Sequence, residues 1–170
     1  MNKTAIVLVT GVAGSGKTTI GTRLAQRLGW PYFEGDDFHP PANRERMASG
    51  LPLDEFHRAP WLAALRACMD EVRATSGRAV FSCSALREVH REQLVGGCDD
   101  VLLVYLAGDY ETIHRRAVQR QGHFFDPALV ASQFEALEPP RDALAIDVRD
   151  TPDAIVDRIV QAVKKRDGGN

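Results

Sequence analysis

The stretch GVAGSGKT, Gly11 to Thr18, constrains this chain more than any other feature. It satisfies G-x-x-x-x-G-K-[ST] at every fixed position. It also lies between an apolar, β-branched run, AIVLVT at 5–10, and a helical pattern at Thr18–Leu28, the context in which such a loop works. Gly11, Gly14 and Gly16 let the backbone turn with its N–H groups inward, and with the following helix N-terminus those groups form an anion nest. Lys17 adds a mobile positive charge for β- and γ-phosphates, and Thr18 offers a hydroxyl to Mg²⁺. The candidate nucleotide site is therefore Gly11, Val12, Ala13, Gly14, Ser15, Gly16, Lys17, Thr18 and Thr19. A glycine-rich turn without a ligand is the weaker reading. A nucleoside triphosphate fits every part.

Around that loop the sequence alternates strand and helix patterns. Short apolar runs at 5–10, 79–83 and 101–106 read as strands covered on both faces, with weaker strands at 31–35 and 144–148. Helical spacing appears at 18–28, 60–76, 86–94, 110–120, 127–137 and 152–165, with Pro60 opening its helix and Gly77 closing it. The alternation predicts one α/β domain spanning 1–170 with a doubly wound parallel sheet. The terminal KKRDGGN is expected to fray.

Composition narrows the function. A net charge of −2 gives no general attraction to nucleic acid or anionic membrane, so phosphate binding must be local. No apolar run approaches the roughly 20 residues of a bilayer span, and the N-terminal run reads as a strand rather than a signal peptide. Cys68, Cys83 and Cys98 have no metal-binding spacing and fit reduced thiols in the cytoplasm.

A GTP switch would need NKxD and DxxG, and neither occurs. The strand best placed to end in a motor-type carboxylate, RAVFSCSA, ends instead in Ser82, Cys83 and Ser84. A small kinase remains, with its second substrate beyond the strand ends. Asp36 and Asp37 follow the second strand, where one carboxylate can take a hydroxyl proton or orient the metal's waters. A helix-entry cap is the alternative for that pair.

Several segments together resemble the gluconate kinases of the thermoresistant gluconokinase type, within the P-loop small-molecule kinases that include shikimate kinase. They are the loop itself, GDDFHPPANRERMASGLPL, RAPWL, CSALREVHR and RQGHFFDPALVASQFEALEPP, covering about Val7 to Pro139. The resemblance implies a three-layer P-loop kinase fold, with a five-stranded parallel sheet flanked by helices and a helical lid at about 116–139. It implies ATP and Mg²⁺, D-gluconate as acceptor through its 6-hydroxyl, and a homodimer.

By the same resemblance Asp36 is the candidate general base, beside the metal with Thr18. Lys17 and Arg120 complete the catalytic set, and Arg116 and Arg120 serve the nucleotide from one helix face. The implied acceptor contacts are Asp36, His39, Arg46, Arg58, Ser84, Arg91 and Gln133, with Arg58 and Arg91 clamping the substrate carboxylate. His39 could instead cap the next helix, Arg87 could be ordinary surface, Trp61 could be core anchor or sugar platform, and Gln133 could bond lid backbone. One position departs from the family pattern. His57 stands before Arg58 where a carboxylate is usual, which puts acceptor selectivity or pH optimum in question. A different sugar-acid or shikimate-like acceptor, and a non-catalytic nucleotide-binding protein, are the competing readings.

Overall fold

The computed structural model describes residues 3–119 and 127–168. Five strands run in the order β2-β3-β1-β4-β5, and every neighbouring pair is parallel. They are β1 (Ile6–Thr10), β2 (Tyr32–Glu34), β3 (Ala79–Ser82), β4 (Val101–Ala107) and β5 (Leu144–Asp147). β1 lies at the centre, pairing Ile6 with both Ala79 and Val101.

Because strand side chains alternate between faces, β1 feeds two cores. Val7 and Val9 join one cluster with Ile20, Leu24, Ile113, Ile155 and Ile159. These last come from α1 (Lys17–Leu28), α5 (Tyr110–Gln119) and α7 (Pro152–Gly168). Ile6 and Leu8 face the other way, onto Leu62, Leu65, Met69, Phe81 and Leu94. That layer is built by α3 (Glu55–Ala74) and α4 (Glu88–Val95). All five residues of β1 are buried, as an apolar run with no polar alternation requires. Among the described residues no helix is long and apolar enough to cross a membrane.

The structure adds two elements and changes two sequence expectations. Residues 35–48 hold a short 3₁₀ turn at Gly35–Phe38 and then α2 (Pro41–Ala48). α2 buries only Asn43, so it presents no apolar stripe to read. α3 begins at Glu55 rather than at Pro60, because the Asp54 side chain caps it by accepting the His57 N–H at 3.0 Å. Pro60 therefore lies inside the helix, facing the carbonyl of Phe56, a residue 84% exposed. Finally, the C-terminal run is ordered helix as far as Gly168. Asp167 accepts the Thr4 N–H at 2.8 Å and pairs with Arg78 at 2.7 Å, which ties the end of α7 to the sheet.

A helix α6 (Pro127–Ala136) completes the elements. With all strands parallel, the loop after β1, the turn after β2 and the segment after β3 emerge on one edge of the sheet, where such folds hold their ligands.

Candidate functional site

The phosphate loop is built from backbone. Gly11, Gly14 and Gly16 have φ of +151°, +82° and +97°, values that L side chains rarely adopt. Gly16 is the N-cap of α1 and supplies no side-chain cap, and the first turn holds no acid. The first-turn amides are thus left for an anion, which the helix dipole also favours. The Ser15 hydroxyl is buried without a partner among the described residues, a second polar group suited to a phosphate oxygen. Lys17 Nζ donates to the Val12 carbonyl at 3.1 Å. Burial lowers the Lys17 pKa, and the Asp36 carboxylate is the chief opposing influence, followed by Cys83 and Glu34. Asp36 and Glu34 therefore lie near enough to the glycine loop to act on its lysine.

Asp36 is exposed, and its turn is held close to the sheet. A Cβ on Gly35 would stand 2.1 Å from the Ser82 carbonyl, so only glycine lets the turn approach β3 this closely. From the other side, Trp61 Nε1 donates to the Gly35 carbonyl at 2.8 Å. Arg44 donates to the carbonyls of Asp37 and His39, fastening α2 to the same turn. Trp61 is 4% exposed and is a core anchor, with no free face for a sugar. His39 stacks on it at 4.2 Å and is itself 7% exposed. Burial lowers the His39 pKa, so its imidazole is neutral at pH 7.

The carboxylate that touches the loop is one that sequence reading passed over. Glu34, the last residue of β2, accepts the Thr18 hydroxyl at 2.7 Å, the Tyr32 hydroxyl at 2.7 Å and the Ser82 hydroxyl at 2.8 Å. These hydrogen bonds and Lys17 together lower its pKa despite burial, its largest single influence and an opposing one. By sequence, the strand best placed to end in such an acid is β3. The neighbouring strand supplies it instead, because parallel pairing sets Glu34 beside Ser82. Its two-residue spacing from Asp36 was the available signal. A hydroxyl with a carboxylate bonded to it suits Mg²⁺, which keeps several waters and takes the rest of its shell from phosphates.

Three expected acceptor contacts are engaged elsewhere. Arg91 is 6% exposed, and its guanidinium donates to the Ala85 and Leu86 carbonyls at 3.0 and 2.9 Å. It holds a turn in which Ala85 has φ +37°, where expectation made it a carboxylate clamp. Gln133 reaches the phosphate loop, accepting the Ala13 N–H at 2.7 Å, rather than a sugar or lid backbone. Arg46 donates to the Pro52 carbonyl at 2.8 Å and closes the loop between α2 and α3. Ser84 follows β3 partly buried.

Arg58 faces Glu55, with 3.2 Å between NH1 and Oε1. It also lies near enough to His39 to lower that pKa alongside Arg44, so it belongs to the Asp36 side of the cleft. The histidine at position 57 does not leave its neighbourhood without acid, since its Nδ1 pairs with Asp54 at 2.5 Å. Asn43 Nδ2 fixes the His57 carbonyl at 2.8 Å.

On the far side of the loop a cleft of about 350 Å³ is lined by Gly14, Gly16, Thr19, Arg116, Val148 and Pro152, among others. Arg116 donates to the Val148 carbonyl at 2.6 Å and borders this cleft, which has room for a nucleobase. No base-reading motif in the sequence announced it. Arg120 and Gly122-His123-Phe124 lie outside the described residues.

The sequence model of the shikimate kinase family matches residues 13–164. A gluconokinase from Gluconobacter oxydans is 40% identical, over 97% of this chain and 94% of its own. The thermoresistant gluconokinase of Escherichia coli is 35% identical over 94% of both chains. Among solved structures, a gluconokinase from Sinorhizobium meliloti superposes with a TM-score of 0.85 at 34% identity, covering 96% of this chain and 94% of that one.

Proposed function

The chain belongs to the gluconokinase family of P-loop kinases and is an enzyme, and from that premise we propose that it transfers the γ-phosphoryl group of ATP to the 6-hydroxyl of D-gluconate. The observation that carries this reading is the Thr18 hydroxyl bonded to Glu34 at 2.7 Å, which sets the strand that leads into the Asp36 turn against the phosphate loop. Asp36 is the main support for the charge on Lys17. Donor phosphates on the glycine loop would meet an acceptor alcohol at the 3₁₀ turn.

The residues then divide the work. The α1 amides, Ser15 and Lys17 hold the triphosphate, and Lys17 follows charge onto the leaving oxygen. Asp36 accepts the proton of the attacking hydroxyl. The new bond joins the sugar oxygen to phosphorus, and the bond to the bridging oxygen breaks, releasing ADP. The Thr18 hydroxyl and the Glu34 carboxylate bonded to it, with Asp36 as the resemblance implies, would hold Mg²⁺, which would supply charge neutralisation at the phosphates. Arg116 bounds the base-sized cleft. By the family resemblance Arg120 adds positive charge from the lid at 116–139. Arg58 is the remaining expected clamp with its guanidinium at the acceptor side.

The match to the shikimate kinase model keeps a ring acid in view as an alternative acceptor. A coupled ADP-release assay across gluconate, related sugar acids and shikimate tests the assignment. Gluconate is expected to turn over best despite His57. Turnover of another acid with none on gluconate overturns it.

A further inference from the structure

Glu55, the first residue of α3, collects contacts from two separate elements. Its Oε1 lies 3.2 Å from Arg58 NH1, one turn along the same helix. Arg87 NH1, at the N-cap of α4, lies 3.4 Å from the same oxygen. His90 Nε2 lies 3.0 and 3.2 Å from the two carboxylate oxygens, and since a carboxylate only accepts, Nε2 carries the proton. The His90 hydrogen bond, with the charges of Arg58 and Arg87, holds the Glu55 carboxyl below its ordinary range.

Two features mark this carboxylate as replaceable. Among the described residues, neither Arg58 nor Arg87 has another acidic partner, so two guanidinium groups and an imidazole N–H share one negative charge. The Glu55 side chain is 53% exposed, whereas His90 beneath it is 5% exposed. His90 is set in the protein wall and Arg58 is partly buried, while Arg87 and the acid lie on the open side. The cluster also adjoins the acceptor end of the cleft: α3 packs on the Asp36 turn through Trp61, and Arg58 reaches His39 electrostatically.

We propose that the Glu55 carboxylate occupies, in the substrate-free enzyme, the place of the acceptor's own carboxylate, and that the sugar acid binds by displacing it from Arg58, Arg87 and His90. The identity of the anion rests on the gluconokinase reading; the displacement does not. Planar carboxylate recognition by paired guanidinium groups is the chemistry these donors offer. An internal competitor also discriminates, because a neutral polyol gains nothing from cations that Glu55 already satisfies.

The test is a calorimetric titration of the nucleotide-free full chain with D-gluconate, with neutral D-glucitol as control. Partly exposed ion pairs are weak, so Glu55→Gln is expected to tighten gluconate binding by about threefold to tenfold and to leave D-glucitol unchanged. Glu55→Ala, which leaves no amide to occupy the same donors, is expected to act in the same direction. Weaker or unchanged gluconate binding in both variants overturns the proposal and makes Glu55 a positioning residue for Arg58 and Arg87. An equal gain for D-glucitol overturns it as well. Failure of the wild-type chain to phosphorylate gluconate would overturn the proposed function and leave this binding comparison standing.

Discussion

The two ends of the proposed site, one for the nucleotide and one for the acceptor, are built in different ways. The nucleotide end uses main-chain groups: three glycines with positive φ and an uncapped helix N-terminus, all within eight consecutive residues. The acceptor end uses side chains from the turn after β2, from α2, from α3 and from the α4 cap, far apart in the chain and joined by hydrogen bonds. A triphosphate looks the same in every kinase, so one local backbone shape serves. A particular sugar acid demands an arrangement of side chains that packing has to assemble.

The largest expected effect breaks the nucleotide end. Lys17→Ala should lower kcat by roughly 10²- to 10³-fold, read as ADP release with saturating gluconate. Loss of nucleotide affinity in a chain that never transferred phosphate would instead mark a binding module. Asp36→Asn, at the junction of the two ends, should lower kcat by about 10²-fold. A change in KM alone would move Asp36 from base to binding group. Arg58→Ala tests whether the ends are separable. It should raise KM for gluconate by about tenfold, the cost of one charge-assisted hydrogen bond, with KM for ATP little changed. Equal effects on both substrates would place that arginine at the phosphates.

The smallest effect concerns stability. Burial lowers the His39 pKa from 6.5 in the folded chain, so the unfolded chain takes up a proton first as pH falls. The stability contribution is complete above pH 6.5 and declines as pH drops toward the folded value. His39→Gln should flatten this slope in urea melts between neutral and acidic pH. An identical slope in both proteins would show that His39 is not buried as the Trp61 stack indicates.

Much of the fold was readable in sequence because burial on both faces leaves a short, uninterrupted apolar run. β1, β3 and β4 are such runs. α2 was not readable, since a helix that buries one asparagine has no periodic stripe. The same contrast holds at the site. Gly11 to Thr18 announces itself because every part of the nest is adjacent in the chain. Glu34 meets Thr18 only through the pairing of β2 with β3. Arg91 carries the right charge for a clamp, yet it is buried and its NH1 is given to the carbonyls of a strained turn.

The order of residues by itself settled that this chain makes a parallel α/β sheet with a triphosphate loop at its edge. Hydrophobic period and loop chemistry are local properties, written in consecutive positions. Which acids and arginines face the loop, and which only brace the walls, was decided by tertiary structure. A side chain's partners depend on strand register and helix docking, and those bring together positions that chain order keeps apart.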